Sequence, residues 1–212
     1  MRRAVIDAER PDADVLAEAA AIIERGGIVA MPTDTLYALA VDPLSPATLS
    51  RLFAVKGRPP DRAVAVVATD IAQVVEYLGV LPPAARRLAL EYWPGPLTIL
   101  LKRPASFPAE LTAGGDRVGV RVPAHVVTQE LCRASRRLLT ATSANISGQP
   151  PSNDPDHIAR VFAGTSVELL LDAGRTPGGP PSTVVAVVDD DVRLIRAGAI
   201  TWGEVQACVR QE

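Results

Sequence analysis

Three cations fall close together in Lys56-Gly57-Arg58-Pro59-Pro60-Asp61-Arg62. A glycine separates Lys56 from Arg58, so neither is masked by a bulky neighbour. Arginine offers a planar fork and lysine a compact point charge, and together they suit a polyanion, most simply nucleotide phosphate. The same residues would also be satisfied as a solvated basic turn. Pro59 and Pro60 fix φ and withhold ladder donors, which makes the stretch a stiff elbow between a helix and a strand.

Three further polar stretches adjoin apolar runs that read as strands, where side chains are well positioned yet reachable. Pro32-Thr33-Asp34-Thr35-Leu36-Tyr37 follows Ile28–Met31. Ser143-Ala144-Asn145-Ile146-Ser147-Gly148 follows Leu138–Thr142. Its hydroxyls, amide and glycine can wrap phosphate oxygens, or form an Asx/Ser turn that satisfies its own backbone. Pro181-Ser182-Thr183 leads into another apolar run. Arg121 lies in Val118–Val122, where alternation sets it on the face opposite Val120 and Val122. It is either a clamp for a carboxylate or an ordinary exposed arginine. The P-loop, dinucleotide-binding, nucleophile-elbow and His-Glu-x-x-His patterns are all missing, so phosphate chemistry would need a less common cradle. Asp189-Asp190-Asp191 reads as a polar hairpin turn in place of a metal site.

The elements that must carry these stretches are legible in outline. Asp12 or Asp14 caps a helix to about Arg25, ended by Gly26-Gly27. Ser45 before Pro46 starts a helix whose buried stripe is Leu49, Leu52 and Phe53, and which delivers Lys56 at its C-terminal end. Ala63–Ala68 reads as a buried strand. Asp70 opens a helix to about Leu78, and Pro82-Pro83 another to about Tyr92. A stiff turn at Trp93-Pro94-Gly95-Pro96 leads to a strand over Leu97–Lys102, and residues 103–116 read as loop. Pro123 starts a helix to about Arg133. A helix near Pro155–Phe162, a strand at Val167–Leu171, a hairpin over Thr183–Val188 and Val192–Arg196, and a helix over Trp202–Arg210 complete the chain. Helices and strands alternate but hairpins interrupt them, so the expected class is α/β of the α+β type: an open, twisted mixed sheet with packed helices.

Composition bounds the rest. A chain of 212 residues can bury a proper core, and 22 basic against 24 acidic residues argue against a surface that grips nucleic acid everywhere. Arg133, Arg136 and Arg137 could form a local basic face, or be solvated helix-end residues. Arg2 and Arg3 lead into acidic residues and not an apolar run, so neither a secretory signal nor a membrane span is expected. Cys132 and Cys208 sit in helical patterns without metal or redox spacing, which suggests core packing and a cytoplasmic chain. His125 and His157 are too few for a histidine-rich metal site. No linker or repeat is visible, and a single domain over residues 1–212 is expected.

Taken together, the motifs resemble the YrdC family of threonylcarbamoyl-AMP synthases. Residues 26–37 are similar to its first block, Lys56-Gly57-Arg58 to its lysine-x-arginine motif and Ser143-Ala144-Asn145 to its serine-x-asparagine motif. Trp93–Thr98, Val118–Pro123, Ser182–Val185 and Arg196–Ile200 fit further blocks in order. The resemblance implies a short, YrdC-like form. It implies synthesis of L-threonylcarbamoyl-AMP from L-threonine, bicarbonate and ATP, with pyrophosphate released and Mg2+ carried mainly by the phosphates. Downstream tRNA threonylcarbamoyltransferase proteins would then modify tRNA, with contact to tRNA or double-stranded RNA. On this resemblance Lys56 and Arg58 are the catalytic cations. They bind ATP together with Arg62, Ser143, Asn145, Ser152 and Arg196, while Thr35, Arg121 and Ser182 hold threonine. The sequence departs from the family at Ala38 for glycine, at Arg62-Ala63-Val64 for Asn-Pro-Leu, at Val67 for a histidine of some members, and at Ala197 for proline. These departures bear on substrate fit. They leave room for a paralogue that uses carbamoyl phosphate, or for an RNA-binding or ribosome-assembly module.

Overall fold

The computed structural model describes residues 1–59 and 61–210. Pro60, expected to stiffen the elbow with Pro59, lies outside the described residues. In chain order the elements begin with β1 (Arg2–Val5), α1 (Ala13–Glu24), β2 (Ile28–Met31), β3 (Ala38–Ala40), α2 (Pro46–Lys56) and β4 (Val66–Val67). Next come α3 (Ile71–Leu78), α4 (Pro83–Tyr92), β5 (Leu97–Lys102), β6 (Arg117–Arg121), α5 (Val126–Ser135), β7 (Leu139–Thr140) and β8 (Thr142–Ser143). The chain closes with α6 (Pro155–Val161), β9 (Val167–Asp172), β10 (Thr183–Val188), β11 (Asp191–Arg196) and α7 (Trp202–Arg210).

The strands form two mixed sheets, so the expected mixed α/β class holds, with the strands divided between them. One sheet has the order β1-β9-β2-β3-β8 and the other β11-β10-β5-β6-β4-β7. Helices cover both faces of the first sheet. In β2, Ile28 and Ala30 enter the larger core cluster, while Val29 and Met31 pack with Leu16, Ile23 and Leu131 of α1 and α5. A strand buried on both sides needs no polar alternation, which explains the continuous apolar run at 28–31.

Helix starts follow their chemistry. The Asp12 carboxylate accepts from the amides of Asp14 and Val15, Ser45 Oγ from Thr48, and Asp70 from Gln73, each satisfying an amide that the helix leaves free. Gly57 ends α2 at φ 56°. That left-handed turn suits glycine and redirects the chain at once after Lys56.

Several expected boundaries shift for reasons of hydrogen bonding. The run Ala63–Ala68 contributes ladder rungs only at Val66 and Val67, between β6 and β7. Its neighbours are tied to loops: Val64 N–H donates to Leu111 O at 2.8 Å, and Ala65 O accepts from Ala141 N–H at 2.8 Å. The helix expected from Pro123 starts at Val126, because His125 keeps an extended backbone at φ −142°. The expected strand at 138–142 is two strands in different sheets. A short 3-10 helix at Ala109–Thr112 interrupts the loop 103–116. Neither β1 nor β3 was expected. The first is an edge strand rich in arginine, with Arg3 bonded to Asp172 and Asp156 at 2.7 Å each, and the second is mostly alanine, a weak strand former.

The hairpin β10–β11 turns at Asp189 and Asp190, both with positive φ, a two-residue turn one residue tighter than the expected Asp189-Asp190-Asp191, because Asp191 pairs with Val188. One of these aspartates has a second task. Helix α4 begins after Pro82, which has no capping side chain, and Asp190 Oδ1 reaches across to accept the Ala84 amide at 2.9 Å. Asp190→Ala should therefore destabilise the fold by about 1–2 kcal/mol, through loss of that cap and of a residue that tolerates left-handed backbone. Asp190→Asn, which keeps an acceptor, should recover most of the difference in urea denaturation.

Candidate functional site

A cavity of about 480 Å³ opens where the two sheets diverge. Its floor is β6, whose alternate residues Arg117, Gly119 and Arg121 line it. A β-carbon at Gly119 would come within 3.1 Å of Thr98 Cγ2 and 3.2 Å of Leu100 Cδ2, so glycine keeps the floor low between the two arginines. β5 and β10 supply Thr98 and Val184, Ser182 stands just before β10, and Thr33, Thr35, Ala38, Thr142 and Ser143 line the cavity from the other sheet and its loops.

The elbow places its two central cations differently. Arg58 lies on the cavity wall, with one terminal nitrogen donating to Thr142 Oγ1 at 2.9 Å and the other to Ala63 O at 2.7 Å. Among the described residues its buried Nε has no partner. Burial lowers its pKa, and Arg62 nearby lowers it further. Lys56 is buried behind the wall, its ammonium donating to the carbonyls of Ser143 and Asn145 and to Asn145 Oδ1. Burial, followed by the charge of Arg58, brings Lys56 down to about 8. Arg62 is exposed and gives its carbonyl to Arg58; its side chain is not on the wall.

Arg121 is buried in the floor. Its Nε donates to Gly95 O at 2.8 Å, and a terminal nitrogen pairs with Asp34, which is itself nearly buried. The pair leaves the rest of the guanidinium edge for a ligand. Removing either partner would strand a charge in a poorly solvated place, at a cost of about 3–5 kcal/mol. On the adjoining wall, Arg196 donates to Ser182 O at 2.7 Å and to Ser182 Oγ at 3.2 Å. The Ser182 hydroxyl in turn meets Thr98 Oγ1 at 2.9 Å. The loop after β11 sits close: a β-carbon on Gly198 would lie 2.3 Å from Pro181 O and 2.4 Å from Thr183 N.

Of the expected site residues, Thr35, Arg58, Arg121, Ser143, Ser182 and Arg196 line one cavity. Lys56, Arg62, Asn145 and Ser152 do not. Asn145 accepts the Ser143 hydroxyl at 2.6 Å and donates to Gln149 O at 2.6 Å, fixing the loop from beneath. Ser152 Oγ accepts from the amide of Asp154 at 3.0 Å, an Asx-like turn beside the wall residue Pro151. Sequence reasoning missed Arg117, and it placed Thr33 and Thr98 in stretches of interest without naming them as site residues. The period of two from Arg121 already sets Arg117 and Gly119 on its face, so that signal was present. Of the positions of departure, Ala38, Ala63, Val64 and Val67 line the cavity, and Ala38 sits in β3 paired to Met31 and Ser143, so its methyl lies in extended backbone.

With the fold and wall in view, comparison places the chain. Residues 21–198 match the profile of the family that groups Sua5, YciO and YrdC, described as Telomere recombination. The threonylcarbamoyl-AMP synthase of Pyrococcus abyssi is 36% identical over 191 residues, covering 90% of this chain and 56% of that protein. The enzyme of the same description from Idiomarina loihiensis is 30% identical, covering 82% of this chain and 95% of that one. The crystal structure of Pyrococcus abyssi Sua5 complexed with L-threonine superimposes with a TM-score of 0.93 at 33% identity, over 99% of this chain and 61% of that one. The molecule is thus a mixed α/β protein with a cationic, hydroxyl-lined cavity between its sheets. The chain belongs to the Sua5/YciO/YrdC family, and it spans little more than half the length of the Pyrococcus relative.

His125 lies next to this site. Its buried Nδ1 has no partner among the described residues, and burial lowers its pKa against the opposing pull of Asp34. A histidine with a lowered folded pKa binds fewer protons than the unfolded chain does, so its stabilising share is present above the ordinary value near 6.5 and is lost as the pH falls below it. His125→Gln should flatten the fall in thermal stability between about pH 6.5 and 5, as read by calorimetry at a series of pH values.

Proposed function

We propose that the chain is an ATP-dependent nucleotidyltransferase that joins L-threonine, bicarbonate and ATP into L-threonylcarbamoyl-AMP. The observation that carries this reading is the placement of Arg58, Arg121 and Arg196 on one cavity wall together with the hydroxyls of Thr35, Ser143 and Ser182. Two families of anion must meet in the reaction, a carboxylate and a triphosphate, and three arginines line the space that would hold them. Arg121, oriented by Asp34 and Gly95 O, suits the planar carboxylate of an amino acid, with Thr35 and Ser182 beside it. Arg58 and Arg196 suit the phosphates, and Ser143 the nucleotide.

The chemistry asks for charge more than for a nucleophile from the protein. The amine of threonine and bicarbonate give a carbamate with loss of water. A carbamate oxygen then attacks the α-phosphorus, a P–O bond to the β-phosphate breaks, and pyrophosphate departs. Attack of one anion on another requires fixed positive charge at the phosphates and on the leaving group. The donor set of the wall is guanidinium and hydroxyl, and the carboxylate nearest to it, Asp34, is already paired with Arg121, so the site suits phosphate oxygens and not a protein-held metal. Mg2+ would enter with ATP, screening phosphate charge. The product would serve a tRNA-modifying partner that accepts the threonylcarbamoyl group.

The test is a substrate panel. Purified protein with ATP and Mg2+ should release pyrophosphate only when threonine and bicarbonate are both present, and carbamoyl phosphate should not replace them. Turnover with carbamoyl phosphate alone would move the assignment to a carbamoyl-adenylate enzyme. Salt-sensitive RNA binding without turnover would move it to a binding module. Arg58→Ala should lower kcat by about 100- to 1,000-fold, the magnitude seen when one preorganised electrostatic donor is lost.

A further inference from the structure

Lys56 adjoins the cavity without forming part of its wall, and the hydrogen bonds of its ammonium run to the loop that begins at Ser143. The residue is 2% exposed. Its ammonium faces three oxygens: the carbonyl of Ser143, the carbonyl of Asn145 at 2.8 Å and Asn145 Oδ1 at 3.2 Å. An ammonium carries three protons, so every one has an acceptor. The main chain of the same residue adds a further tie, because Lys56 O accepts the Ser147 amide at 2.8 Å. One residue at the last turn of α2 therefore grips the loop at both ends, 143 and 147.

This arrangement separates two tasks that a lysine-x-arginine pair could share. For Nζ to reach a phosphate it would have to abandon three acceptors in a space with little water, and each buried oxygen left bare costs about 1–3 kcal/mol. Arg58 is two residues further on, past the left-handed turn at Gly57, and lies on the wall with a buried Nε that has no partner among the described residues. Ser143 also lies on the wall, and its hydroxyl is aimed by Asn145 Oδ1, the same atom that Lys56 holds.

We propose that Lys56 is a positioning residue, whose ammonium organises the Ser143–Ser147 loop against the nucleoside monophosphate part of ATP, while Arg58 meets the departing phosphates. The identity of the ligand rests on the synthase reading above; the grip on the loop does not.

The experiment compares full-length wild type, Lys56→Met and Arg58→Met by hydrogen exchange and by calorimetric titration with ATP and with AMP. Methionine at 56 keeps an unbranched stem and removes the protons. Lys56→Met should lower exchange protection across residues 143–149 by ~10-fold or more, equivalent to ~1.4 kcal/mol, and leave β9 unchanged. It should weaken ATP and AMP by the same factor. Arg58→Met should keep the loop protected and weaken ATP by ~10-fold more than AMP. A Lys56→Met protein that loses ATP but keeps AMP, or whose loop stays protected, would overturn the proposal. If wild type binds neither nucleotide the synthase reading fails, and loop protection alone still decides the role of Lys56.

Should the methionine variant fail to fold, wild type is followed from pH 7 to 9.5. Among the described residues Arg58 is the charged group acting on the Lys56 ammonium, and its charge does not change in that range. Loop protection, corrected for intrinsic exchange, and affinity for both nucleotides should then fall together as the pH rises through about 8. A flat response overturns the proposal.

Discussion

A single residue, Ala141, separates the last rung of one sheet from the first rung of the other. Thr140 pairs with Val66 in the six-stranded sheet, and Thr142 pairs with Leu39 in the five-stranded sheet. A chain that changes sheets leaves main-chain groups without ladder partners, and buried groups must find them elsewhere. The Thr140 hydroxyl accepts from Val41 N–H at 3.0 Å and donates to Leu39 O at 3.2 Å, while Thr142 Oγ1 accepts from Arg58. The Ser143 and Asn145 carbonyls take their donor from Lys56. The seam between the sheets and the cationic end of α2 thus complete one another, and the cavity is the space that the divergence leaves.

The arginines of the cavity share a manner of attachment. Arg58 is anchored on Ala63 O, Arg121 on Gly95 O, Arg196 on Ser182 O and Arg117 on Val187 O. Each commits part of its fork to a main-chain carbonyl and keeps the remaining donors for other partners. Asp34 offsets the charge of Arg121 locally and leaves the space as a whole cationic. Donors already fixed in place need little reorganisation when negative charge enters, which is the condition under which they act most strongly on a reacting centre.

The sequence carried the elements better than their junctions. Caps at Asp12, Ser45 and Asp70 are local chemistry and were readable from the residues themselves. The split of 138–142 was not, since Leu-Leu-Thr-Ala-Thr reads as one strand and only the partners on either side reveal two. The same holds for Lys56 and Arg58. Two positions apart in sequence, they differ in whether they face a loop or a cavity, and Gly57 alone does not say which. Asp190 shows the opposite case: the turn was legible, but its cap on α4 joins residues 106 apart. Arg117 lies one residue before the strand expected at Val118–Val122, yet the period of two from Arg121 sets it on the same face.

The missing side chain of Gly198 has a mechanical consequence. With no room for a β-carbon against Pro181 and Thr183, the chain after Arg196 lies flat on the strand entry that carries Ser182. Ala199 N–H donates to Pro181 O at 2.9 Å, and the Thr183 hydroxyl bonds both ways with Ile200, at 2.6 and 2.9 Å. Strand end and loop are riveted into one plate. The distance between Arg196 and Ser182 is then a constant of the fold, a fixed gauge against which any incoming molecule is measured.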